Sequence, residues 1–274
     1  MNKEEYLISN FKSSKIGDDG AVIGDLVYSK DLFCEDIHFK FSWMSLKQIA
    51  IKSMLVNISD AIAMNAKPKQ ALIGLVIPSN FSLSQIQELS SGFKEIASKY
   101  SIEIIGGDTT SGKKLMISIT IISQTKNPIY RNSMKKGDFI AYTGSLGESK
   151  KGLTTLLGGG QLNSKSRFIT PSLKADFFYE ASKYVTAGLD ISDGLSKDLS
   201  RLCKSSGGLG IRFLKNFSKQ ELCSGEEYEM LFSFHVKNLA KIKSLAKKHR
   251  ISITIFAKAK LGRYLSTCKE NHFN

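Results

Sequence analysis

Carboxylates set among glycine, serine and threonine recur along this chain: Gly17-Asp18-Asp19-Gly20, Ser29-Lys30-Asp31, Asn57-Ile58-Ser59-Asp60, Gly106-Gly107-Asp108-Thr109-Thr110 and Asp190-Ile191-Ser192-Asp193-Gly194. Hard oxygen donors of this kind suit Mg2+, and glycines beside them let a backbone come close to phosphate oxygens. The surrounding chain is basic, with 39 Lys and Arg against 25 Asp and Glu and a net charge of +14. Acidic motifs on that background point to a metal-dependent phosphate enzyme.

Taken singly, each motif has a second reading. The Gly106 to Thr110 stretch leaves an apolar run, Ile102 to Ile105, either as a phosphate and metal loop or as a polar turn. Asp18 and Asp19 repel one another unless a cation lies between them, yet Asp-Asp-Gly also makes a turn. Asp60 is the more informative, because it interrupts an apolar helical stretch where an unpaired carboxylate is costly to bury. Asn57, one turn earlier, shares its face; an exposed Asp60 at a helix bend is the alternative. Ser192 and Asp193 precede a helix and serve as cap, ligand or both.

Two glycine patterns carry no nucleotide signature. Gly147 to Gly152 has G-x-x-x-x-G spacing, but Leu153-Thr154 follows where a phosphate loop needs Lys and a hydroxyl. Gly158 to Gly160 lacks the strand and helix of a dinucleotide fold. His38, His235, His249 and His272 form no H-x-x-x-H pair, which argues against a zinc hydrolase.

The chain's 274 residues, 42% hydrophobic and 23% charged, are enough for one large or two medium soluble domains. Its positive charge is spread over Lys, with only six Arg and no run longer than pairs such as Lys135-Lys136 and Lys247-Lys248. Scattered Lys reads as a solvated surface rather than a nucleic-acid groove, and no nucleic-acid partner is expected. Cys34, Cys203, Cys223 and Cys268 are far apart, form no C-x-x-C pair and read as reduced core thiols. Without a leading apolar signal or an apolar run of bilayer length, a cytoplasmic location with no membrane partner is expected.

Strands and helices alternate, giving an α/β expectation. Strands are expected over Ala21 to Val27, Ala71 to Ile77, Ile102 to Ile105, Leu115 to Ser123, Phe139 to Thr143, Ala187 to Ile191, Tyr228 to Phe234 and Ile251 to Ala257. Helices are expected from Leu46 to Met64 behind Ser45, and behind the Ser82-x-x-Gln85 capping box through Ile86, Leu89, Phe93, Ile96, Ala97 and Tyr100. Further helices are expected at Ser149 to Leu157, Leu173 to Tyr184, Leu195 to Lys204 and Leu239 to His249. A polar turn at Lys135 to Asp138 divides the chain into units 1–137 and 138–274.

In this order, the motifs resemble those of the thiamine-monophosphate kinase family, within the aminoimidazole ribonucleotide synthetase-like superfamily. The resemblance also rests on His38-Phe39, Ala63 to Pro68, Arg131 before Gly137-Asp138, Thr143 to Ser149 and Gly225-Glu226-Glu227-Tyr228-Glu229. It implies two domains, with an N-terminal mixed sheet pairing across a homodimer and a C-terminal α/β sandwich-like domain. It also implies Mg2+-assisted transfer of phosphate from ATP to thiamine phosphate, yielding thiamine diphosphate. By position, Asp18, Ser29, Asp31, Asp60, Asp108, Asp190 and Asp193 would hold several Mg2+ ions. Tyr100, Gly107, Asp108, Arg131 and Ser192 would contact ATP, and His38 and Glu226 would face thiamine phosphate.

An acceptor that is itself a phosphate is largely ionised near neutral pH, so no general base is needed. The barrier is repulsion between anions, which cations and in-line positioning lower. Lys30 stands where the family commonly has a metal-coordinating hydroxyl, which implies one metal contact fewer, and Glu227 stands where Asp is usual. The aromatic expected shortly before His272-Phe273 is replaced by Glu270 or displaced, and the chain looks trimmed between Cys203 and Cys223. Two alternatives remain: another enzyme of the superfamily with a different acceptor, and a basic nucleic-acid-binding protein.

Overall fold

The computed structural model describes residues 3–269; Glu270, His272 and Phe273 lie outside the described residues. In chain order the elements are α1 (Lys3–Ser9), β1 (Ala21–Ile23), β2 (Leu26–Cys34), α2 (Leu46–Ala63), β3 (Lys67–Pro78), α3 (Leu83–Tyr100), β4 (Glu103–Gly112) and β5 (Met116–Gln124). They continue with β6 (Phe139–Thr143), α4 (Glu148–Leu157), α5 (Ala175–Ala181), β7 (Val185–Asp190), α6 (Leu195–Ser205), β8 (Gly210–Phe213), α7 (Lys219–Cys223), β9 (Met230–Phe234), α8 (Leu239–Lys248) and β10 (Ile253–Lys260).

Two five-stranded sheets result. The first, ordered β1-β2-β5-β3-β4, is mixed, since only β3 and β4 run parallel. The second, ordered β7-β9-β6-β10-β8, is antiparallel throughout. α2 is buried nearly all round, which is the pattern of a central helix. It packs on β2, β5 and α3 and also reaches β7 of the second sheet. One hydrophobic core accordingly runs from Ile58 and Ile119 through Phe168 to Phe177 and Phe232. Gly92 of α3 allows the close approach to α2, since a Cβ there would lie 2.4 Å from the Lys47 carbonyl oxygen.

Ser45 with Gln48 and Ser82 with Gln85 form reciprocal capping boxes at the starts of α2 and α3. Several expectations change. The expected strand Ala21 to Val27 is a hairpin turning at Gly24, whose φ is +63°. The Gly106 to Thr110 motif does not leave its strand; β4 continues through it, paired with β3 from Gln70 to Pro78. Between Cys203 and Cys223 the chain still builds β8 and α7, elements too short to leave a periodic signal.

The cysteine expectation also needs correction. Cys34 and Cys203 are free and buried, but Cys223 and Cys268 form a disulfide with Cα atoms 5.6 Å apart. A separation of 45 residues hides this pairing, because only packing of the C-terminal segment brings the two Cα atoms within bonding range. Denatured without reductant, the protein should show two reactive thiols among its four cysteines. Reduction should lower stability by up to about 4 kcal/mol, the entropy of closing such a loop. Four reactive thiols would refute the pairing.

Candidate active site

β2 alternates its side chains across the first sheet. Ser29, Asp31 and Phe33 face the helices, while Lys30 and Leu32 face the open side. Lys30 Nζ reaches Ser118 Oγ at 2.5 Å on that open side. The strand thus turns Lys30 away from Asp31, and its charge is felt there only as a weak pull against burial and Asp19, which hold Asp31 up at about 6. Asn57 does not point at a ligand; its Oδ1 accepts the Asp31 backbone N–H at 2.9 Å and its Nδ2 donates to the Ser53 carbonyl. Ser29 Oγ donates to the Asn57 carbonyl at 3.4 Å. These bonds fasten β2 to α2 so that Asp31 and Asp60 lie side by side.

Asp19, Asp60 and Asp190 each bring one carboxylate oxygen within 4.8 Å of the other two. Asp19 comes from the loop before β1, Asp60 from the last turn of α2 and Asp190 from the end of β7, so both sheets contribute. Ser59 Oγ, beside Asp60, donates to Asp190 Oδ2 at 2.6 Å. Burial pushes Asp60 and Asp190 well above the ordinary carboxylate range, and neighbouring carboxylates add to this, Asp31 and Asp190 on Asp60 and Asp19 on Asp190. Burial raises Asp19 too, against the pull of Arg131.

Arg131 organises the rim. Its guanidinium pairs with Asp19 and with the Gly17 carbonyl at 3.3 Å, and its backbone N–H donates to Asp18 Oδ1 at 2.7 Å. Among the described residues Asp19 Oδ2 and Arg131 Nε have no hydrogen-bond partner, and the Asp19 side chain is only 2% exposed. Buried polar atoms are rarely left so. Three converging carboxylates with an orphaned oxygen fit a hard divalent cation, which supplies the charge their mutual repulsion lacks. Asp19 was not among the ligands expected from the sequence; adjacent Asp18 was. The Asp-Asp repulsion was visible in the sequence, but which carboxylate turns inward depends on the contact with Arg131.

Other expected residues lie apart from this trio. Asp193 is held by Arg201 at 2.5 Å and Lys197 at 3.9 Å. Its backbone N–H donates to buried Asp198, whose carboxyl is raised to about 7 by burial. Asp108 faces the open side, since Gly74 and Ser118 share its row. The row Asp31, Ile119, Ile73, Gly107 crosses three strand spacings, about 14 Å. Tyr100 lines a cavity of about 560 Å3 with Lys67, Lys69, Lys99, Lys174 and Tyr179, and burial raises it to about 12.

The loop after α7 folds back on residues 191 and 192. Glu226 N–H donates to the Ser192 carbonyl at 2.7 Å, and Glu226 and Tyr228 take left-handed φ values of +56° and +52°. Glu227 points elsewhere: its Oε1 accepts the Gly147 and Ser149 N–H groups, serving as the anionic cap of α4. His38 Nδ1 accepts the Cys34 N–H, placing the proton of a neutral ring on Nε2, and the ring stacks on Phe33 at 5.2 Å.

Glu229, wholly buried, accepts from Thr143 and pairs with Arg167; burial lifts it from 4.5 to about 7. A raised carboxylate contributes stability below its unfolded pKa, lost as pH rises from 4.5 through 7. That loss is at most about 3 kcal/mol at 1.36 kcal/mol per unit. Urea melts from pH 5 to 8 should therefore show a shallower decline in Glu229→Gln than in the wild type; equal slopes would contradict this.

Residues 17–125 match the family model for the AIR synthase related protein N-terminal domain. The chain is 33% identical to thiamine-monophosphate kinase of Buchnera aphidicola subsp. Schizaphis graminum, over 87% of this chain and 82% of that protein. It is 30% identical to thiamine-monophosphate kinase of Aquifex aeolicus, over 84% and 83%. The solved complex described as AaThiL complexed with AMPPCP and TMP superposes with a TM-score of 0.83 at 26% identity, covering 96% of this chain and 91% of that one. With that sequence identity, and with this fold around converging aspartates, the chain belongs to the thiamine-monophosphate kinase family.

Proposed function

We propose that this chain transfers the terminal phosphoryl group of ATP to the phosphate of thiamine phosphate, giving thiamine diphosphate. The observation that carries the site assignment is the convergence of Asp19, Asp60 and Asp190, with a buried carboxylate oxygen left unpartnered. Mg2+ bound there would offset the charge of the polyphosphate and of the transferring group. Asp60, Asp190 and Asp19 are its first ligands on this reading, with Asp31 beside them, Asp18 and Ser29 adjoining, and Asp193 joining once it leaves Arg201.

Gly107, Asp108, Arg131, Ser192 and Tyr100 are assigned to ATP, with the Arg131 guanidinium balancing phosphate charge at the rim. His38 and Glu226 are assigned to thiamine phosphate, on either side of Phe33 and Lys52. Residues 1–137 and 138–274 act as two units that close the site between them, joined by the Ser59 to Asp190 bond.

A homodimer through the first sheet is part of this reading. Its helix-free face exposes Leu32 (54%), Met116 (39%) and Leu72 (37%) in neighbouring rows, with Lys30 and Asp108 on the same face. A second copy covers that face, and Asp108 acts from it. Light scattering should give twice the 30.3 kDa of one chain. Among the described residues no helix is long and apolar enough to cross a membrane.

The decisive experiment incubates the protein with ATP, Mg2+ and thiamine phosphate and follows thiamine diphosphate by chromatography. Formation of product that stops when Mg2+ is chelated supports the reading. No product at saturating substrates would end it.

A further inference from the structure

Lys52 is an anomaly on α2: a lysine whose side chain is 0% exposed, one of the largest fully buried side chains in the protein. A desolvated ammonium is costly, and burial accordingly lowers its pKa while Glu226 pulls it back up. Among the described residues its three N–H donors meet a single carboxylate oxygen, Oε2 of Glu226 at 3.1 Å. Two aromatic rings lie against it, with the Phe168 ring centroid at 3.9 Å and that of Phe33 at 5.7 Å.

The pair joins the two halves of the chain, 174 residues apart in sequence. Glu226 is 26% exposed, so its side chain bridges the buried ammonium and solvent. Its backbone is held in a left-handed conformation that a non-glycine residue adopts only where the surroundings impose it. Phe33 lies between Lys52 and His38, under the Lys52 ammonium and stacked with the His38 ring.

We infer that Lys52 is a positioning residue: from beneath, it fixes the orientation of Glu226 so that Oε1 is presented to thiamine phosphate. This rests on the assignment of Glu226 to that substrate. The mechanism is electrostatic and geometric. Oε2 is occupied by an ammonium that is 0% exposed, so rotating the carboxylate away would leave a buried cation unpaired, and one rotamer is strongly preferred. The substrate therefore meets an acceptor already oriented, and little ordering entropy is lost on binding.

The test is a cycle of Lys52→Met, Glu226→Gln and the double variant, read as KM for thiamine phosphate, KM for ATP and kcat. Lys52→Met should raise KM for thiamine phosphate about tenfold or more while KM for ATP stays within about twofold. The double variant should be no worse than Glu226→Gln within about threefold, because a residue acting through Glu226 has nothing left to position. Additive losses, or equal effects on both KM values, would overturn the inference. If Lys52→Met does not fold, the double variant removes both charges and is compared with Glu226→Gln alone, where a further loss overturns the inference. Turnover by the wild type with an additive cycle sinks only the role of Lys52. If the wild type binds thiamine phosphate by calorimetry without turnover, the kinase reading fails and the same cycle is read in Kd; neither binding nor turnover overturns both.

Discussion

Asp60→Asn is expected to remove about three orders of magnitude from kcat/KM for thiamine phosphate while making the metal-free protein more stable. Both effects have one cause. Asp60 is enclosed with Asp19 and Asp190 within 4.8 Å, and burial with the charges of Asp31 and Asp190 raises its pKa well above 3.8. A carboxyl raised on folding stabilises at low pH and loses that contribution as pH rises through its folded pKa, so near pH 8 its ionisation opposes folding. Asparagine keeps the shape and removes the charge. In chelator the variant should melt a few degrees higher, at about 2–4 °C per kcal/mol for a chain of this size.

With Mg2+ the order should reverse, since the wild type gains binding free energy that the variant largely loses. The rate loss corresponds to about 4 kcal/mol of transition-state stabilisation. Melting curves of both proteins in EDTA and in Mg2+, with initial rates, check this. Near-normal turnover, or a lower melting temperature in EDTA, would refute the metal role.

Gly107→Ala is expected to be the most damaging single methyl group in the first sheet. Gly107 has φ +150°, and a Cβ there would lie 1.8 Å from the Ile73 carbonyl oxygen and 2.6 Å from its carbon. Those are backbone atoms of the neighbouring strand, so no side chain can rotate aside. β4 must part from β3, losing ladder bonds and displacing Asp108. A loss of at least about 3 kcal/mol is expected, with a melting temperature lower by about 6 °C or more. Gly106→Ala is the control: its φ is similar at +154°, but its Cβ would meet only Leu72 Cδ2 at 3.5 Å. It should cost about 1–2 kcal/mol of backbone strain. Equal melting temperatures for the two variants would show that the close approach does not matter.

Much of the scaffold was legible because its signals are local. Ser45 and Ser82 cap α2 and α3 where capping chemistry places them, and Phe139 to Thr143 is a strand in both readings. Asp60 was conspicuous for a related reason: a carboxylate inside an apolar helix requires a partner, and the structure supplies a cluster. Legibility ended where a face or a distant partner decided the outcome. Lys30 and Asp31 are neighbours in sequence but lie on opposite faces of β2. Glu227 beside Glu226 reads as part of the same acidic motif, yet one caps α4 and the other meets Lys52.

The recurring acidic motifs, set among small residues in a basic chain, pointed to a chemical class only as an ordered set, because each short segment by itself also reads as a turn or a helix cap. Which carboxylates converge was decided only by tertiary structure. Asp19, Asp60 and Asp190 come from a loop, a helix end and a strand end separated by up to 171 positions. Lys52 follows the same rule: in the sequence it is one more lysine among many, and only the packing of Phe168 and Glu226 against α2 makes it a buried cation paired with a carboxylate.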